Sequence, residues 1–332
     1  MYSAKCIGLL LGLGFASQAL GSELSSARGA VAPVGFDIQG TPLPRSQVPQ
    51  LRGRLDDMLV RLRQTPALAP LQGFAINQSI RLFEQPSALG SAPAAGWAHL
   101  LVRRVDPQRS ERDAASGALR GVGEGPAIEV RANDQGALFG YPVGKDEQGD
   151  YYQVPVIPRR LQGFPVLQIG SKDVVVLHKA GRQPFAHINR ERYLKGILAD
   201  AREHLALLRD MLNDTGDEQL RAGLQGNIAD WQRTVAARQT ELEGMSEAER
   251  RSPTCQSSDQ RGATFASCRT PGAVYYVTFS PEYFDPALPP SSVQLMSISV
   301  ANKGFLNDRV LGQKVRQAVA ELDLAALRET LD

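Results

Sequence analysis

Apolar residues recur at helical spacing in four stretches of this chain. The first holds Leu51, Leu55, Met58, Leu59 and Leu62, and Pro66 and Pro70 end it, so a helix with one packed face is expected there. After Gly73 the rhythm changes. Phe74 to Phe83, Trp97 to Val105, Ala127 to Arg131, Tyr151 to Ile157, Val166 to Ile169 and Val174 to Leu177 are rich in β-branched and aromatic residues and read as strands. Asn133-Asp134-Gln135-Gly136 and Asp146-Glu147-Gln148-Gly149-Asp150 supply hairpin-turn chemistry, because Gly and Asn tolerate positive φ. Pro155 and Pro158 mark their segment as an edge strand or a bulge.

The longest helical pattern lies between Asn189 and Gly244. Leu194, Ile197, Leu198, Ala201, Leu205, Leu208 and Leu212 form one apolar stripe, with Asn189 as N-cap. Asn213-Asp214-Thr215-Gly216 breaks the run. From Asp217, the residues Leu220, Leu224, Ile228, Trp231, Val235 and Leu242 make a second stripe, so residues 189–244 are expected to form an antiparallel helical hairpin resembling a short coiled coil. Each arm spans about 37 Å at about 1.5 Å per residue. Beyond it, Ala273 to Ser280 and Val293 to Val300 read as strands, with an ordered turn from Pro281 to Pro286. Val310, Leu311, Val315, Val319 and Leu322, then Leu324, Leu327 and Leu331, close the chain in helical pattern. The fold class these elements imply is α+β: an antiparallel meandering sheet with flanking helices, residues 49–332 as one domain, and the hairpin inserted between sheet segments and projecting. The last strands are expected to join the earlier sheet, since about eighty residues are thin for a second core.

Composition sharpens this in three places. With 332 residues, 42% of them hydrophobic, the chain can bury a sizeable core. Thirty-seven basic against thirty-five acidic residues leave a formal charge of +2, too weak a field to argue for nucleic acid. Lys5, the apolar run Ile7 to Ala16 and the small residues Ser17, Ala19 and Gly21 have the form of a secretory signal peptide over residues 1–21, with cleavage near Ala19 to Gly21. That run is too short for a permanent membrane anchor, and the expected location is the periplasm or the exterior. Residues 22–48, with Pro33, Pro42 and Pro44, read as a flexible linker.

Loss of the leader removes Cys6 and leaves Cys255 and Cys268, which are expected to form a disulfide around a polar loop. No histidine stands near them, so a zinc site lacks ligands. The histidines are His99, His178, His187 and His204, and none falls in a metal-binding spacing; no metal or cofactor is expected. His99 and His204 read as ordinary packed or solvated side chains. His178 and His187 flank the sheet-to-hairpin junction and are the site candidates, as ligand or general base. No Gly-x-Ser-x-Gly or Ser-x-x-Lys pattern selects a nucleophile, and the catalytic residues of any reaction stay unknown. Residues 106–125 end in Gly121, Gly123 and Gly125, but the spacing does not fit a phosphate-cradling loop, and a mobile surface loop is expected.

The segment Arg182-Gln183-Pro184-Phe185-Ala186-His187-Ile188-Asn189-Arg190-Glu191-Arg192-Tyr193-Leu194 resembles a phrase of uncharacterised exported bacterial proteins, in which Pro-aromatic-x-x-Val/Ile-Thr/Ser-Arg-Glu-x-Tyr/Phe-Leu opens a long helix. Asn189 stands where those proteins carry Thr or Ser. Pro281-Glu282-Tyr283-Phe284-Asp285 and the closing Leu-x-x-Leu helix are similar too, so the resemblance covers scattered phrases of the last half of the chain. It implies export and no particular activity. The function expected first is therefore a non-catalytic binding or adaptor protein of the cell envelope, with a protein partner on the hairpin. A hydrolase uniting His178 or His187 with a carboxylate and a hydroxyl is the second reading, and an immunity-type inhibitor of a toxin the third.

Overall fold

A computed structural model describes residues 24–40, 43–84, 92–257, 265–302 and 308–332. The expected signal peptide and its cleavage region lie outside them. The chain begins with strand β1 (Gly35–Gln39), helix α1 (Val48–Arg63), and strands β2 (Phe74–Phe83), β3 (Ala95–Arg104) and β4 (Ala127–Ala132). Short strands β5 (Gly144–Asp146), β6 (Gly149–Pro155), β7 (Arg159–Leu161), β8 (Phe164–Ile169), β9 (Lys172–His178) and β10 (Phe185–His187) follow. Helices α2 (Arg190–Asp214), α3 (Glu218–Gly244) and α4 (Glu247–Arg251) come next. The chain then closes with β11 (Cys255–Gln256), β12 (Val274–Phe279), β13 (Leu295–Ala301), α5 (Arg309–Ala320) and α6 (Leu324–Arg328).

The fold is α+β, as its patterns imply, but the strands divide between two sheets. The larger runs β1-β2-β3-β4-β13-β9-β8-β7 and the smaller β10-β12-β6-β5, with β11 beside β12. Of the last two long strands, β13 joins the earlier sheet, inserted between β4 and β9, whereas β12 pairs with β6 in the smaller one. Alternation marks a segment as a strand without naming its partner. The segment expected as a flexible linker is also partly ordered. β1 lies parallel to β2, from Gly35 opposite Ser79 to Gln39 opposite Phe83, and Val31 bridges to Ile76. Its side chains are mostly exposed, so main-chain bonding holds a strand that leaves no apolar alternation to read.

One face of the large sheet carries the main core. Ile76, Leu82, Ala98, Leu100, Ile128, Val130 and Ile298 pack there against Leu51, Leu55 and Leu62 of α1, Leu311 and Val315 of α5, and Leu324 and Leu327 of α6. Gly96 lets α1 pack closely: a Cβ there would lie 2.6 Å from Leu55 Cδ1 and 3.2 Å from Leu82 Cδ2, so any larger residue would have to displace those leucine tips. On the opposite face, Leu167, Val174, Val176 and Leu295 meet Val154, Val277 and Phe279 of the small sheet, with Tyr283 and Phe284. Buried Asn133, at the end of β4, ties together the segments that enter β3 and β13 and does not form a hairpin turn. Its Nδ2 donates to the carbonyls of Ala94 and Ser292, and its Oδ1 accepts from Gln294 N and Leu295 N.

Candidate functional site

The hairpin is an insertion fixed at its base. Ile188 N donates to Tyr276 O, Tyr276 N to Thr254 O and Thr254 N to Ile188 O, so the segments leading into and out of the hairpin lie side by side on β12. Directly beyond, Cys255 and Cys268 are joined, with S–S 2.04 Å and Cα–Cα 5.3 Å. Gln153 donates to the Tyr276 hydroxyl, which donates to Gln256 Oε1, and Gln256 Nε2 donates to the Tyr193 hydroxyl on α2. This partly buried chain of polar groups connects the small sheet, the disulfide segment and the root of α2, with each hydroxyl partnered.

Asn189 caps α2 as expected, its Oδ1 accepting from Arg192 N at 2.8 Å. That places Arg192 one turn into the helix, facing the β5–β6 turn. Its Nε and Nη2 donate to the two Asp146 oxygens at 2.6 and 2.9 Å, a bidentate pair. Burial pushes the Asp146 carboxyl pKa up, but the Arg192 guanidinium, the Tyr151 hydroxyl and the Gln148 N–H together outweigh it and hold the pKa below the ordinary value. Behind the pair, buried Tyr151 fits against the helix because position 196 is glycine: a Cβ there would stand 2.8 Å from the Tyr151 hydroxyl. Burial drives that phenol's pKa well above its usual value.

In front of the pair lies a cleft of about 820 Å³ between the β5–β6 turn and α2. Its walls include Lys145, Asp146, Glu147, Asn189, Glu191, Arg192, Lys195, Asp200 and Glu203, and His187. Glu191 and Lys195 pair at 2.8 Å, and this bond holds the Glu191 carboxyl below its ordinary pKa. No serine, threonine or cysteine is among the lining residues, so the cleft does not unite His187 with the carboxylate and hydroxyl of a hydrolase triad. His187 sits opposite Val277, and its ring meets Tyr275 edge-on at 4.3 Å. Desolvation lowers its pKa below the ordinary histidine value.

The chain matches no family model, no curated protein and no solved structure. Geometry alone therefore separates the candidates. His178 ends β9 in the large sheet, opposite Leu295, with Nδ1 3.1 Å from Lys179 O, whereas His187 ends β10 in the small sheet, so the cleft holds the second and not the first. Among the described residues no group of three His, Cys, Asp or Glu side chains is placed to hold a metal, and no helix is long and apolar enough to cross a membrane. The Asp146–Arg192 pair, 46 residues apart in sequence, could not be read from spacing.

The far end of the hairpin differs from its base. Leu205, Leu208, Leu224 and Ile228 form a small core of their own, with Leu212, Trp231 and Val235 partly buried around it. Leu220, expected in the buried stripe, is 48% exposed, and Leu207 and Met211 are 55% and 45% exposed. All three fall within about two turns of the bend between α2 and α3.

Proposed function

We propose that this protein is an exported, non-catalytic binding protein of the cell envelope that engages a protein partner through the tip of its helical hairpin. The carrying observation is the exposure of Leu207, Met211 and Leu220 at the end of an arm whose base is tied down by main-chain bonds, a disulfide and a bidentate ion pair. Leu207 and Met211 are four residues apart on one helix face, the spacing by which a helix lays apolar anchors into a groove. A fixed base lowers the entropy lost when the tip is bound. The disulfide suits an oxidising compartment, and the leader pattern supports export.

The test uses residues 22–332, tagged and oxidised, with Leu207→Glu and Leu220→Glu combined. Both side chains are exposed, so far-ultraviolet circular dichroism and the melting midpoint should match wild type. A partner captured from the native envelope should be retained by wild type and lost by the variant, as it should be when residues 189–244 are replaced by a short linker. Capture that survives both changes rules the hairpin out as the contact.

A further inference from the structure

We infer that a second cavity, on the large sheet, binds a small carboxylate or phosphate anion through three arginines. The cavity of about 490 Å³ lies between the polar face of β2 and β3 and the excursion 106–122 that connects β3 to β4. Residues of that excursion expected as a mobile loop are tied down: Leu119 O accepts from Ala30 N, Leu119 N donates to Arg28 O, and Val122 N donates to Arg104 O. Leu119 is buried with Ala75 and Val105. The excursion thus forms a wall over the sheet.

Small residues let that wall approach the sheet closely beside the cavity. Ala75 stands opposite Arg103 in the ladder, so the two share a face, and a Cβ on Gly121 would meet Arg103 Cβ at 2.5 Å and Ala75 Cβ at 3.4 Å. Ala30, Ala32 and Asn77 complete the floor. Arg103, Arg109 and Arg120 line one volume. Arg103 commits Nε to Gly123 O, and Arg120 makes only a long 3.4 Å contact to Asp113. Among the described residues the Arg109 guanidinium has no hydrogen bond or ion pair.

The lining sets two carboxylates, Glu111 and Asp113, against the three arginines and so keeps one positive charge in excess. Asp113 Oδ1 accepts from Ala115 N, Ser116 N and Ser116 Oγ, which ties that carboxylate to its own turn. Planar guanidinium groups around an apolar floor recognise a carboxylate or a phosphate by paired donors, and the volume lies in the range of small-ligand sites.

The test is calorimetric titration of the oxidised protein, residues 22–332, with succinate, glycerol phosphate, inorganic phosphate and neutral glycerol. Saturable binding of succinate or of a phosphate is expected, and which anion saturates identifies the headgroup. Arg109→Gln should weaken it about tenfold, while Arg61→Gln, an exposed arginine on α1, removes the same charge elsewhere and should change nothing. Equal melting midpoints without ligand keep folding out of the comparison. No saturable anion binding, or equal weakening by both variants, overturns the assignment.

Discussion

In α1, of 16 residues, Leu51, Leu55, Met58, Leu59 and Leu62 are each at most 3% exposed, whereas α3, of 27 residues, buries only Leu224 and Ile228. Both helices carry an apolar stripe, but α1 meets a sheet several strands wide and α3 packs chiefly on α2. A stripe closes fully only where the partner surface is wider than the helix. The difference divides the molecule into a body stabilised by burial and an arm stabilised by its base.

Leu55→Ala should break the body most severely. Leu55 is fully buried over Gly96 in a packed core, and the lost contacts and cavity should cost about 2–5 kcal/mol of global stability. Ile228→Ala, at the edge of the small hairpin core, should cost about 1–2 kcal/mol and act locally. Urea unfolding followed by hydrogen exchange separates the two: the first variant should lower protection in β2, β3 and β13, and the second only in the outer halves of α2 and α3. If Ile228→Ala lowers protection in the sheet as much as in the hairpin, body and arm unfold as one unit and the division fails.

The same contrast explains what was legible from sequence. Helix starts were readable because caps and stripes are local: Asn189 and Asp217 cap α2 and α3, and the stripe of α1 is buried throughout. β2 runs from Phe74 to Phe83 as its composition implied. Partners were not readable. Nothing in the alternation of Val293 to Val300 says that β13 enters between β4 and β9, or that β12 belongs to another sheet. The site suffered likewise. His187 was named as a candidate, with His178, because the two flank the sheet-to-hairpin junction, but Asp146, Arg192 and Tyr151 meet only through tertiary packing, and Arg103, Arg109 and Arg120 line one cavity only because an excursion folds back over β2 and β3.

The ion pair at the arm's base gives a smaller, pH-dependent effect. Asp146 has a folded pKa below its unfolded value, so its contribution is complete above the ordinary carboxyl range near pH 4 and is lost as pH falls through the folded value. Asp146→Asn should remove about 1 kcal/mol of local stability at pH 7. Hydrogen exchange in β5, β6 and the first turn of α2 should therefore be faster in the variant at pH 7 and should converge with wild type in acid. Wild-type protection there that stays level to pH 2 would show that the disulfide and main-chain staples hold the base without the pair.

The smallest effect contrasts the two sheets through their histidines. His99 on β3 lies opposite Glu129 on β4; burial lowers its pKa, Glu129 raises it, and Lys172 and Arg131 lower it. Glu129 also accepts a 2.7 Å hydrogen bond from Lys172, so Glu129→Gln removes the carboxylate that supports the imidazolium and takes the ion-pair partner from Lys172, while Arg131 keeps Asp134 at 2.8 Å. The His99 pKa should fall further below the ordinary histidine value, while His187, whose shift comes from burial on the small sheet, should not move. A histidine that resists protonation in the folded state, against an unfolded pKa near 6.5, makes stability decline as pH drops below that value, and the variant should decline more steeply. Imidazole Cε1–H resonances followed from pH 8 to 4 read both residues in one experiment. If both move together, the charge at Glu129 acts across the whole molecule and the two sheets are not electrostatically separate; if only His99 moves, its local row of charges sets its titration.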